Sequence, residues 1–284
     1  MLLVLSLGLR AAAGDAVYVF RRPALLARSV LAMNVAMPLV ALWLVLSLDL
    51  RPVVKIALVA LSVSPVPPIL PNKQLKLTGR EGYVYGLLVT SAVLAVPLVP
   101  LTTAFLASWA QRGEGVGVST ILKIVVMTVL LPLAVGIGAR RTWPGHAERV
   151  ASIASKVGTV LLIAAFLPVL ISQWPAIRSL IGDGTLLAII AFTCIGLLVG
   201  HLFGGPDPPD RSVLALATAS RHPAVALAVA STAFPDQKLA PAAVLLSLLV
   251  GTLATAPYSE WRRRSHGREL EATKESAVAR GSRS

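Results

Sequence analysis

An arginine and a histidine stand side by side inside a long apolar stretch of the sequence. Arg221 and His222 lie between an apolar run that begins near residue 211 and the run Ala224–Ala230. A guanidinium so far from either end of a hydrophobic segment must face a cavity or a polar partner. It can bind a carboxylate or stand in for a cation, and the neighbouring imidazole can carry a proton. The pair therefore predicts a positively charged binding site within an apolar segment.

Four prolines interrupt a second apolar stretch. They lie between Ser64 and Asn72, in the sequence SPVPPILPN. Proline has no N–H and clashes with the preceding turn, so an α-helix cannot continue through this segment. In hydrocarbon the freed carbonyl groups are tolerated only where protein or a water-filled cavity satisfies them. The four prolines therefore predict an unwound helix at a binding site.

The composition is that of a chain embedded in lipid. Of the 284 residues, 56% are hydrophobic and only 14% are charged, and the mean hydropathy is +0.78. So few charges exclude a soluble globular surface. The net charge of +13 comes from cations between apolar runs, which favours membrane topology over nucleic-acid binding. The single cysteine, Cys194, excludes a disulfide framework within one chain.

Nine apolar segments are predicted to cross the membrane as α-helices. They are residues 1–13, 24–48, 53–72, 82–109, 118–139, 151–173, 184–204, 211–233 and 239–258. Most of the 26 Lys and Arg residues fall at one end of these segments, which marks the cytoplasmic side. The predicted protein is a multi-pass protein of the inner or plasma membrane, with the N-terminus outside and the C-terminus in the cytoplasm. Residues 259–284 are predicted to form a disordered basic cytoplasmic tail.

The two interrupted segments occupy corresponding places in the two halves of the chain, which is typical of transporters built from inverted repeats. A repeat of five plus five helices that lacks its first helix has nine helices and places its termini on opposite faces. The transmembrane domain, residues 1–258, would divide into repeats at about 1–110 and 118–258. No catalytic motif, buried acidic pair or metal-ligand set lies in the predicted helices. The protein is therefore not expected to be an enzyme, and no catalytic residue, cofactor or metal is predicted.

Three stretches of the sequence resemble the bile acid:sodium symporter superfamily. They are Phe20–Pro23 leading into Ala32–Leu39, Ser64–Asn72, and Ser220–Ala230. The resemblance implies a panel domain and a core domain, in which the two broken helices cross near the midplane. It also implies a secondary transporter that moves a small organic anion by alternating access. The candidate substrate-binding residues are the polar residues at the two breaks: Ser64, Asn72, Thr218, Ser220, Arg221 and His222.

The sequence departs from this family at the sodium ligands. Sodium-using members carry a Glu followed by Gln-Asn in the second broken helix, where this chain has Ala217 and Arg221-His222. Sodium needs oxygen ligands, as other hard cations do. The remaining candidate cation ligands are Asn72, Thr90 and Ser91. We expect Arg221 either to occupy the space of the coupling cation or to hold a substrate carboxylate.

Several alternatives stay open at the level of sequence. The coupling ion is Na⁺ or H⁺, with His222 as the candidate proton carrier, and the protein is a monomer or a homodimer in the bilayer. A non-transporting sensor or a degenerate paralogue would keep the same fold. A metalloid exporter of the related arsenite branch is a further alternative, although those exporters carry a cysteine in the first broken helix, whereas Cys194 lies in another segment.

Overall fold

The computed structural model describes residues 1–12, 14–78, 80–109 and 117–281, without the side chains of 105–109 and 266–281. These residues form thirteen α-helices and no β-strand, which confirms the predicted all-α class. The helices are α1 (Leu2–Arg10), α2 (Pro23–Val30), α3 (Met37–Ser47), α4 (Pro52–Val63), α5 (Leu70–Thr78), α6 (Glu81–Trp109), α7 (Val118–Val125), α8 (Leu131–Thr142), α9 (Pro144–Ser179), α10 (Thr185–Phe203), α11 (Pro208–Ala219), α12 (Pro223–Ala233) and α13 (Ala240–Gly281).

Seven helical segments in the described part of the chain are long and apolar enough to cross a membrane. They are Pro23–Ser47, Glu81–Ala104, Val118–Thr142, Pro144–Ser179, Thr185–Phe203, Pro208–Ala233 and Ala240–Ser265. Two of them contain a π turn, at Leu31–Ala36 and at Val126–Leu130. The polytopic character is thereby confirmed. The count of nine and the inverted repeat stay predictions, because α1 and α4 are shorter than a full crossing.

Proline determines where several helices begin. Its missing N–H costs nothing in the first turn, and its fixed φ suits the start of a helix. Five helices have proline as their first residue: Pro23, Pro52, Pro144, Pro208 and Pro223. Pro71 likewise lies in the first turn of α5. The same residue type that interrupts the two broken helices therefore also restarts them.

Both predicted interruptions are present. The first broken helix consists of α4 and α5, and its chain is extended at Ser64. The second consists of α11 and α12, and its chain is extended at Ser220 and again at His222. The π turn Leu31–Ala36 and helices α3, α6, α10 and α13 pack around these two broken helices, while α1 packs between α8 and α9. The fold thus encloses both breaks within one group of helices.

The last helix differs from the predicted disordered tail. Helix α13 continues to Gly281, through most of the segment 259–284. The residues after 259 are mostly Arg, Glu, Ala and Lys, which favour helix even without an apolar face. Glu260 lies 2.8 Å from both Arg263 and Arg264, spacings that support a helix surface. The absence of apolar periodicity was therefore not sufficient to predict disorder.

Candidate functional site

The two breaks touch each other. The backbone N–H of His222 donates a hydrogen bond of 2.8 Å to the carbonyl oxygen of Pro65. Helix α12 also packs against α4, and α11 packs against α5. The two broken helices therefore cross, and the unwound segments, rather than two intact helices, form the crossing.

Arg221 joins three backbone segments at this crossing. Its Nη1 donates to the carbonyl oxygen of Ser64 at 3.1 Å, and its Nη2 donates to the carbonyl oxygen of Met33 at 3.0 Å. The side chain is only 4% exposed. Among the described residues no carboxylate pairs with it, so carbonyl dipoles rather than an acidic side chain surround the positive charge.

Proline explains why both carbonyl groups are available. In a continued α-helix the carbonyl of Ser64 would accept from residue 68, but Pro68 has no N–H. Met33 lies in the π turn Leu31–Ala36, where its carbonyl would accept from residue 38, and Pro38 again has none. The sequence-based site did not include Met33. Pro38, five residues after it, was the signal that could have revealed the free carbonyl.

The backbone of the second break is extended on both sides of Arg221. Ser220 and His222 both have extended backbone angles, and successive side chains of an extended chain point to opposite sides. The Arg221 side chain reaches the π turn Leu31–Ala36 at Met33 and the end of α4 at Ser64. The buried His222 ring has no hydrogen-bond partner at either nitrogen among the described residues, and the Arg221 Nε is also unpartnered. These are the polar atoms that remain available to a ligand.

The remaining predicted substrate residues divide into two groups. The Ser64 hydroxyl donates to the carbonyl of Ala60, and the Thr218 hydroxyl donates to that of Leu214, so both are already occupied within their own helices. Ser220 and Asn72 are partly exposed, and their side chains have no partner in the described chain. Asn72 lies in the first turn of α5, after the break.

Of the predicted cation ligands, Ser91 contacts the first break directly. Its hydroxyl accepts a 3.3 Å hydrogen bond from the N–H of Val66 and donates to the carbonyl of Leu88. The neighbouring Thr90 hydroxyl is buried and has no partner among the described residues. The described residues include no cluster of three or more His, Cys, Asp or Glu side chains that could hold a metal ion.

A model of the sodium bile acid symporter family matches residues 1–177, which is more than half of the chain. The chain belongs to the sodium bile acid symporter family. The matched residues include the first break, whereas the second break, with Arg221, lies beyond them. Family membership and the apolar helices make the protein a multi-pass membrane protein of a transport family, in contact with bilayer lipid.

Two curated relatives are similar to part of this symporter-family chain. They are UPF0756 membrane proteins of Lactiplantibacillus plantarum, from strain JDM1 and from strain ATCC BAA-793 / NCIMB 8826 / WCFS1. Each is 30% identical over 105 residues, which is 36% of this chain and 66% of the relative. The chain thus spans slightly less than two thirds of the length of these relatives. Their names describe them as membrane proteins and say no more.

Proposed function

We propose that this protein is a secondary transporter that moves a small organic anion across the plasma membrane by alternating access at the crossing of the two broken helices. We further propose that the Arg221 guanidinium takes the place of the coupling cation, so that transport does not need sodium. Membership of the sodium bile acid symporter family supports the first part. The contacts of Arg221 with the carbonyl groups of Ser64 and Met33 support the second.

The carbonyl contacts favour the cation role of Arg221 over direct capture of a carboxylate. In transporters with broken helices, unwound carbonyl groups coordinate the coupling cation. Both Nη atoms of Arg221 already donate to such carbonyl groups, and Nε is the one nitrogen of this guanidinium without a partner among the described residues. Its positive charge still attracts an anion at short range, and the N-terminal end of α12 adds a favourable dipole.

The unpartnered ring of His222 supports a proton as coupling ion. The imidazole belongs to the residue next to Arg221, is buried and has no partner among the described residues. Histidine is the side chain whose charge changes most readily near neutral pH.

The cation-rich end of the helices would face the cytoplasm, with the C-terminus on that side and the N-terminus outside.

Replacing sodium by potassium or choline is expected to leave uptake unchanged within about twofold, because the cation is part of the chain. The measurement is uptake of labelled small organic anions by proteoliposomes that hold the wild-type protein, with and without an inward sodium gradient. Liposomes without protein give the background. Uptake that falls more than about tenfold on sodium removal would contradict the tethered cation while leaving transport itself established. Absence of uptake with every anion would favour a non-transporting sensor.

An ion pair joins two loops at the end of the helices opposite the basic loops, and we expect it to affect alternating access. The Arg51 guanidinium donates to Asp183 Oδ2 from Nε at 2.9 Å and from Nη2 at 2.7 Å, and Nη1 donates to the Ser179 carbonyl at 2.6 Å. Asp183 has φ +43°, between Gly182 at +131° and Gly184 at +74°. The contact therefore joins the link between α3 and α4 to a turn with positive φ angles, which few residue types other than glycine adopt readily.

Substitution of Arg51 by alanine is expected to change the maximal uptake rate by about two- to fivefold without changing the apparent substrate affinity. An exposed pair of this kind contributes up to about 1 kcal/mol, and it lies away from the crossing of the broken helices. Uptake kinetics over a range of substrate concentrations separate the two parameters. Lys238→Ala, an exposed cation between α12 and α13, is the matched control. A changed substrate affinity with an unchanged maximal rate would contradict the assignment.

A further inference from the structure

Two arginines converge on the link between α10 and α11. The Arg211 Nε donates a 2.7 Å hydrogen bond to the carbonyl oxygen of Gly205. A Cβ built on Gly205 would lie 2.6 Å from Nη1 of Arg28, so the guanidinium of Arg28 lies directly against the same glycine. Gly205 has φ +90°, a conformation that glycine adopts without strain. Two guanidinium groups thus lie beside one glycine, and one of them is bonded to it.

The described arginines of the basic C-terminal tail already have ion-pair or hydrogen-bond partners. Arg263 and Arg264 both pair with Glu260. The buried Arg262 donates to the Ser212 hydroxyl at 2.7 Å and to the Pro208 carbonyl at 3.1 Å. The tail therefore offers no free cluster of positive charge among its described side chains.

The acidic residues near the link, Asp207 and Asp210, form ion pairs with a different arginine. Arg80 lies 3.3 Å from Asp207 and 3.6 Å from Asp210. Among the described residues Arg28 and Arg211 have no carboxylate within ion-pair distance. Two positive charges held against one glycine repel each other, and an anion between them removes that repulsion. The planar guanidinium fork matches the oxygens of a phosphate group.

Aromatic side chains place this link at the membrane surface. The His201 Nδ1 and the Tyr258 hydroxyl are hydrogen-bonded at 2.8 Å. Trp261, which is 49% exposed, lies against both rings at centroid distances of 5.7 and 6.0 Å. Tyrosine and tryptophan concentrate at the level of lipid headgroups, because each has an apolar body and a polar atom. His201 lies in the last turn of α10, four residues before Gly205, so the aromatic cluster lies next to this link.

We propose that Arg28 and Arg211 form a phosphate-binding site at the membrane surface, and that it takes the phosphate of an anionic phospholipid headgroup. Phosphate is the shared chemistry of a lipid headgroup and of free inorganic phosphate, and the aromatic cluster favours the lipid as its source. A lipid bound there would connect α2 to the link that precedes α11. It would thus hold the start of the second broken helix against its neighbour.

The test is lipid binding by the full chain purified in detergent. Native mass spectrometry and thermal unfolding would be recorded with added phosphatidylglycerol, with phosphatidylcholine and with inorganic phosphate. Phosphatidylglycerol is expected to bind and to raise the unfolding temperature, and phosphatidylcholine is not. Arg28→Gln is expected to weaken phosphatidylglycerol binding at least fivefold. This variant removes no hydrogen bond seen in the structure, so its fold should be intact.

A matched variant gives the control. Arg141→Gln removes the same charge from an exposed arginine at the end of α8, away from Gly205. Equal loss of binding in Arg141→Gln and Arg28→Gln would overturn the site in favour of general surface charge. An equal stabilisation by inorganic phosphate alone would support the phosphate site and overturn the lipid as its source. Adding Arg211→Gln to Arg28→Gln should abolish the remaining selectivity for phosphatidylglycerol, and retained selectivity would overturn the proposal.

Discussion

Substitution of Arg221 by alanine is expected to abolish uptake in sodium-free buffer. The change removes the two donors that satisfy the carbonyl groups of Ser64 and Met33 at the crossing. A buried acceptor left without a donor costs about 1–3 kcal/mol. The charged side chain that lies between these carbonyl groups would also be lost. We expect uptake in sodium-free buffer to fall at least tenfold, measured in proteoliposomes with matched amounts of folded protein.

The same variant offers a more specific result than loss of activity. If Arg221 acts as a cation attached to the chain, a free cation that enters the vacated space should restore part of the function. Adding guanidinium or sodium to Arg221→Ala is therefore expected to raise uptake, whereas neither should stimulate the wild type. Arg221→Lys should retain intermediate activity, because an ammonium keeps the charge without the fork that reaches two carbonyl groups.

Arg178→Ala is the matched control for this experiment. Arg178 is an exposed arginine in the last turn of α9, and its removal should leave sodium-free uptake within about twofold of the wild type. Sodium-free uptake at the wild-type rate in Arg221→Ala would contradict the tethered-cation role.

The breaks could be predicted from sequence, but the partners of Arg221 could not. Proline leaves a local signature, so the interruption at Ser64–Asn72 and the one before Pro223 were both readable from residue type. The energetic cost of a buried guanidinium also required a polar partner for Arg221. One of its two partners is the backbone carbonyl of Met33, 188 residues away along the chain. Carbonyl groups belong to every residue, so side-chain identity does not reveal which of them is free.

The hydroxyl groups at the breaks show a second limit of sequence-based prediction. Ser64 and Thr218 were predicted to face a substrate because both are polar residues beside an interruption. Each donates to the carbonyl four residues earlier, as serine and threonine commonly do in helices, and its contact with a substrate stays a prediction. Ser220, which lies within the extended break, has no such carbonyl partner.

The close packing of α1 against α8 leads to the second large effect. Gly8 and Gly136 face each other where these helices cross, and Arg10 pairs with Glu148 to hold α1 against α9 as well. A Cβ on Gly136 would lie 2.5 Å from the Leu5 carbonyl oxygen and 2.8 Å from the Cα of Gly8. Both obstacles are backbone atoms, so the clash is relieved only if one helix moves. Small residues at such crossings permit the backbone contact that holds membrane helices together.

Gly136→Val is therefore expected to separate α1 from α8 and to destabilise the fold by about 3 kcal/mol or more, since overpacking against side chains alone costs about 1–3 kcal/mol. Gly138, two residues later on the same helix, has no atom within 4 Å of the corresponding Cβ position. Gly138→Val should accordingly change stability by about 0.5 kcal/mol or less. Unfolding temperatures of the two variants in the same detergent check the difference. Equal destabilisation of both variants would show that helix propensity, rather than the contact between α1 and α8, determines the effect.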